Sequence, residues 1–227
     1  ADDSICILVS NPERTRSNDT HFPYRQSSEL FYFNGFPEPE SVLIVSKLKG
    51  KQELIMLVRP KNAEREVWDG IRCGVRGAKK DYFASRAYDV SEFGDVISGL
   101  VADSKVVYYG YGVNPSFDEK FRQIFEAEPK TLMNPQGIID ELRLIKSDEE
   151  MSVHRHACVI SAEAHKAAML ACRPGVYEYE LQAVLEFVFK ASGGVGPAYG
   201  SIVAAGNNAN VLHYVENKDE VLDGQLV

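Results

Sequence analysis

One imidazole in this chain sits where proton chemistry could be done. His213 follows Gly206-Asn207-Asn208-Ala209-Asn210-Val211-Leu212, precedes Tyr214, and has the acids Glu216, Asp219, Glu220 and Asp223 close behind it. Imidazole titrates near neutral pH and can give or take a proton during a reaction. A lone histidine is more often a satisfied or solvent-facing side chain, so the surrounding pattern must carry the argument. The glycine and asparagine stretch lies between Ile202-Val203 and Val211-Leu212, which reads as a turn between two strands with His213 at a strand end. Gly206 and Asn208 read as loop formers because both residue types tolerate positive φ. The four acids read as a solvated loop, with a weak divalent-cation site as the lesser alternative. A further apparent strand begins near Asp223-Gly224 and is still running at Val227.

Other residues with chemical potential weigh less. His154, Cys158, His165 and Cys172 share one helical face, but His154 and His165 would stand about 16 Å apart along the axis, beyond any shared first coordination shell. That face, which also carries Met151 and Met169, reads as packing or partly exposed surface. Glu178 and Glu180 point to different sides of a helix and cannot act as a carboxylate dyad. Trp68, the single tryptophan, reads either as an ordinary aromatic or as a contact residue. The chain contains neither a GxxxxGK[ST] phosphate loop nor a GxSxG elbow, so nucleotide and serine-hydrolase chemistry drop out.

The elements that must position these residues fall into two sets. Ser4 to Ser10 reads as a buried strand, and Ser41 to Lys47 with Gln52 to Val58 as a hairpin around Lys49-Gly50-Lys51. Ser91 to Val101 and Asn114 to Glu126 read as helices, the second with an asparagine cap and Pro115 in its first turn. Lys105 to Tyr109 and Thr131 to Met133 complete an alternation that predicts an α/β domain with a mixed sheet over residues 1–134. From Asn134-Pro135 the pattern changes. Ser147 and Glu150 form a capping box for a helix over about 148–172, which Arg173-Pro174-Gly175 stops; Tyr177 to Ser192 is a second helix, and the strand pair around residues 202–212 makes residues 135–227 an incomplete α+β domain.

Bulk properties agree with a folded protein: 227 residues, 44% hydrophobic and 26% charged, suffice for two cores and argue against disorder. No apolar run approaches the ~20 residues of a membrane span. A formal charge of −8 disfavours nucleic acid as a partner. Cys6, Cys73, Cys158 and Cys172 show no paired spacing, which favours a reducing, cytoplasmic setting, with an organelle reached after processing as the alternative. Ala1-Asp2-Asp3-Ser4-Ile5 carries no signal-peptide pattern, and the missing initiator methionine points to trimming.

The spacing of Gly206, Asn208, His213 and Tyr214 resembles a pattern that precedes the metal site in proline-specific aminopeptidases, the Xaa-Pro aminopeptidase (aminopeptidase P) branch of the pita-bread metallopeptidases. A second match lies upstream in Tyr24-Arg25-Gln26, Ser28, Tyr32-Phe33, Gly35-Phe36 and Glu38-Pro39-Glu40, which resembles the amino-terminal domain of the same enzymes. Glu141 to Ser147, Glu150 and Cys172-Arg173-Pro174-Gly175 resemble the start of their catalytic domain. The likeness therefore covers nearly the whole chain.

The resemblance implies a metal-dependent aminopeptidase that releases the first residue from peptides with proline second, using two divalent metal ions, commonly Mn²⁺. The family pattern puts the metal ligands beyond Val227, so none of the metal ligands is expected in these residues and the chain alone is expected to be inactive. His213 would be catalytic, hydrogen-bonding or protonating the substrate beside the metals as the tetrahedral intermediate forms. Trp68 would bind substrate at the mouth of a neighbouring subunit's active site, within a dimer or tetramer. Tyr214, beside His213, is expected near substrate or as a packed support for its segment. Prolidase and creatinase relatives share the two-domain plan and remain alternatives, as does a non-catalytic peptidase-like module that binds protein, known in a histone-chaperone subunit. The aromatic cluster of Tyr24 and Phe31-Tyr32-Phe33 is expected to be structural.

Overall fold

Ile5-Cys6-Ile7-Leu8-Val9 is apolar at every position, so a strand built from it has to be covered on both faces. In the computed structural model, which describes residues 2–227, it is an interior strand of a six-stranded sheet. The strands are β1 (Ser4–Val9), β4 (Val42–Leu48), β5 (Lys51–Val58), β6 (Arg86–Asp89), β7 (Val106–Tyr109) and β8 (Thr131–Met133), in the order β6-β5-β4-β1-β7-β8. β4 pairs antiparallel with β1 and β5, whereas β6, β7 and β8 join parallel, so the sheet is mixed. The intervening β2 (Thr15–Ser17) and β3 (Thr20–His21) form a separate exposed ribbon.

Side-chain alternation sorts the two faces. Ile5, Ile7 and Val9 pack with Ile44, Ile55, Leu57 and Val107 under helices α4 (Phe93–Asp103) and α5 (Pro115–Ala127), which contribute Phe93, Ile97, Val101, Phe117 and Phe121. Leu8, Leu43, Met56 and Val58 face the other way, toward Leu30 of α1 (Ser28–Asn34), Ala78 of α3 (Gly74–Asp81), Phe36 and Ile139 of α6 (Gln136–Leu144). The two-turn helix α2 (Ala63–Asp69) buries none of its residues. Helices 7 or 8 residues long, such as α1, α2 and α3, are too short for periodicity to reveal them. α1 depends instead on its ends: Ser27 Oγ accepts from the Leu30 amide, and Gly35 closes the helix at φ 70° in the left-handed region.

The Tyr24-Arg25-Gln26 segment is built into this unit. The buried Gln26 amide group donates to the carbonyls of Phe36 and Glu38 at 3.2 and 2.8 Å, and its oxygen accepts from Tyr24 Oη and Ser27 N, both at 2.8 Å.

The chain divides into two compact units after Leu144, ten residues beyond the change of pattern at Asn134-Pro135. The reason is α6: Ile139 is buried with Leu8 and Leu30, so this helix belongs to the first unit's core. The second unit, Ile145–Val227, contains α7 (Asp148–Ala171), with both hydrogen bonds of the Ser147/Glu150 capping box, and α8 (Glu178–Ala191). Its buried apolar cluster is small: Val176, Leu181, Val203, Ala205 and Val221.

The strand pair expected around His213 does not form. Residues 201–205 are irregular, Gly206–Asn210 is a 3₁₀ turn, and residues 221–227 contain no strand. Side chains take the amides a ladder would use, since Val203 N donates to Asn217 Oδ1 at 3.0 Å and Ala205 N to Glu178 Oε1 at 2.7 Å. Only an isolated bridge, Tyr177 to Glu220, has strand pairing here.

Because α6 completes the first core, Ile139→Ala is expected to destabilise that unit by about 2–5 kcal/mol. Hydrogen exchange should show β1 and β7 amides opening sooner while α7 and α8 keep their protection; the reverse pattern would put α6 with the second unit.

Candidate functional site

Three polar residues spaced four apart on α8, Glu178, Gln182 and Glu186, lie on one helix face and grip the irregular segment 201–219. Glu178 has 0% of its surface exposed. Its Oε1 accepts from Ala205 N at 2.7 Å and Asn208 Nδ2 at 3.0 Å; its Oε2 accepts from Tyr214 Oη at 2.6 Å and Asp219 N at 3.0 Å. Four donors fill the acceptor capacity of an ionised carboxylate. Burial by itself would raise the Glu178 pKa, but the hydrogen bonds from Asn208, Tyr214, Ala205 and Asp219 outweigh it and hold the group below the ordinary carboxylate value. Burial and then the same carboxylate push the Tyr214 hydroxyl pKa upward.

Asn217 forms a second node. It is 1% exposed and left-handed at φ 46°, a conformation asparagine tolerates better than most residues. Its amide group donates to Gln182 Oε1 and to the Ser201 carbonyl, both at 2.8 Å, and its oxygen takes the Val203 amide. Gln182 Nε2 and Ser201 Oγ in turn donate to Glu186 Oε1 at 2.9 and 2.7 Å. Gly206 sits at φ 55°, in the left-handed region that favours glycine, with the end of the Gln225 side chain packed against its Cα. Asn208 adopts no positive φ and acts through its side chain, which also donates to Asp219 Oδ2 at 2.8 Å.

His213 lies in the turn that follows this 3₁₀ segment, not at a strand end, and is exposed. Tyr214 is buried beside it, with its hydroxyl donating to Glu178 and accepting from Lys218 N. Trp68 is 84% exposed on α2 in the other unit. His154, Cys158 and His165 are exposed on α7 and Cys172 is partly buried, while Glu216 pairs with Lys218. Among the described residues all four cysteines are free, and no group of three or more His, Cys, Asp or Glu side chains could hold a metal ion. Burial pushes the Cys6 thiol up to about 11, away from reactive thiolate. Periodicity misses Glu178 as a buried group, although its four-residue spacing to Gln182 and Glu186 was there to be seen.

Comparison with known proteins matches both halves of the chain. A family model described as aminopeptidase P, N-terminal domain, covers residues 1–108, and one described as metallopeptidase family M24 covers residues 152–227. The Xaa-Pro aminopeptidase of Escherichia coli is 36% identical over 99% of this chain and 53% of its own length; human Xaa-Pro aminopeptidase 3 is 33% identical over 99% and 46%. Aminopeptidase PepP from Pseudomonas aeruginosa superimposes with a TM-score of 0.94 at 39% identity, over 99% of this chain and 53% of that one. The chain belongs to the aminopeptidase P family. Its fold is the α/β amino-terminal domain of that family followed by part of the pita-bread catalytic domain. It spans about half the length of the curated relatives it matches. Membership of an M24 metallopeptidase family implies divalent metal ions, and the described residues do not fit as their site. No helix among the described residues is long and apolar enough to cross a membrane.

Two measurements probe this aminopeptidase P segment. A carboxylate whose folded pKa is depressed contributes stability above its unfolded value, about 4.3, and loses it as pH falls through the folded value. Urea unfolding of the second unit should therefore show stability falling as pH drops below about 4.3, with a smaller acid-dependent loss in Glu178→Gln. Asn217→Ala leaves the buried Val203 amide unpaired and a left-handed alanine, and should cost about 2–4 kcal/mol in the same assay.

Proposed function

We propose that this chain is part of a metal-dependent Xaa-Pro aminopeptidase that releases the amino-terminal residue from peptides with proline in second position. The observation carrying this reading is an exposed imidazole on a turn pinned at both ends, in the segment matched by the M24 family model. The relatives named above are Xaa-Pro aminopeptidases, and a zinc-substituted Escherichia coli aminopeptidase P in complex with product is among the similar structures.

The metals, two divalent ions with Mn²⁺ as the proposed identity, would be held by residues other than those described and would supply an activated water for attack on the scissile carbonyl. What the chain itself offers is His213. Its ring makes no hydrogen bond to another described residue and is open to solvent, so an imidazole N–H can donate to the substrate as the scissile carbonyl carbon becomes tetrahedral. Tyr214 supports that ring's backbone from below. Trp68, exposed on α2, is proposed as a substrate contact at a neighbouring subunit's site, which entails a dimer or tetramer. A cytoplasmic location completes the proposal.

In a polypeptide extended to include the metal ligands, Mn²⁺-dependent cleavage of an Xaa-Pro peptide is expected, and His213→Ala should lower kcat by about 10²–10⁴-fold with little change in KM. Equal cleavage of peptides lacking proline would remove the substrate assignment. Lack of ligand residues downstream of Val227 would make protein binding the better account.

A further inference from the structure

We propose that Glu178 is the positioning residue of this site, holding His213 through Tyr214 and Asn208. This rests on the reading of His213 as the substrate-facing group. Three successive turns carry the chain from Ala205 to Tyr214: Asn208 N donates to Ala205 O at 3.1 Å, Val211 N to Asn208 O at 2.9 Å and Tyr214 N to Val211 O at 3.3 Å. The first residue of that path gives its amide to one oxygen of Glu178 and the last gives its hydroxyl to the other. Asn208, in the middle, bonds the same carboxylate. One buried side chain therefore closes a ten-residue path whose penultimate member is His213.

The other members of the α8 stripe do not share this task. Gln182 and Glu186 bind Asn217 and Ser201, outside the 205–214 path. Nor can another side chain of this length replace Glu178. Glutamine turns one pole of the group into a donor, which then faces either Ala205 N and Asn208 Nδ2 or Tyr214 Oη and Asp219 N. Tyr214 can rotate its hydroxyl to accept; the Asp219 amide can only donate, and loses its partner. An exposed imidazole gains a defined location only if its backbone is fixed, and a misplacement of about 1 Å at a reacting group is enough to cost about a hundredfold in rate.

The test is NMR relaxation on the 227-residue chain, with no metal or substrate added, comparing wild type, Glu178→Gln and Tyr214→Phe. In wild type, amides 206–214 should have order parameters like those of α8, about 0.85, and the His213 ring a dispersed resonance. In Glu178→Gln the same amides should fall below about 0.6 and the His213 resonance move to its random-coil position, with α7 and α8 unchanged. Tyr214→Phe, which deletes one of the four donors and keeps the ring, should loosen residues 211–214 alone, and it carries the test if Glu178→Gln does not fold. A turn already mobile in wild type, or one as rigid in the folded variants as in wild type, overturns the proposal. Because nothing is hydrolysed in this experiment, its failure leaves the aminopeptidase assignment standing, and loss of that assignment leaves this result readable.

Discussion

A carboxylate with no exposed surface has to be surrounded by donors, because an ionised group left unpaired in a protein interior is too unfavourable to persist. Glu178 meets this condition with four donors drawn from four residues between Ala205 and Asp219. The course of the segment that packs on α8 follows from it. Residues 201–219 have little regular structure of their own, and the apolar cluster beneath them is five residues. Their path is set by which donors can reach one helix face, and His213 is carried along at a defined point of that path.

The first unit is specified differently. Its sheet buries apolar side chains on both faces, with β1 in the interior of the strand order. Nondirectional burial sorts the residues into faces, and backbone ladders set the register. Buried polar side chains add directional contacts there at Gln26, Asn114 and Asp118. In the second unit the order is inverted: directional hydrogen bonds choose among conformations that apolar burial alone leaves close in energy. Such a segment can hold a polar residue at the surface with a fixed backbone, which is what a reacting group requires.

Local signals were legible wherever the determinant lay within a turn or two of the residue it governed. The Ser147/Glu150 capping box, the Asn114 cap before Pro115 and the hairpin at Lys49-Gly50 all appear in the structure. The expected strands around Val203 and Val211 failed for the opposite reason: β-branched residues suit a pleated ladder, but Asn217 and Glu178 take the Val203 and Ala205 amides, and the Asn208 carbonyl takes that of Val211. The domain boundary moved from 134 to 144 because the partners of Ile139, among them Leu8 and Leu30, lie more than a hundred residues away in sequence.

By itself, then, the sequence determined the α/β plan of the first unit, the two long helices of the second, and the Gly206, Asn208, His213, Tyr214 spacing that resembles the family pattern. These depend on period, caps and motif, all of which are local properties of the chain. Only the tertiary structure decided that Glu178 is buried, that Asn208 works through its amide, that Tyr214 faces inward while His213 faces water, and that α6 closes the first core. Each of those is set by a partner distant in sequence, and burial of a charge becomes possible only once all its donors have been gathered in space.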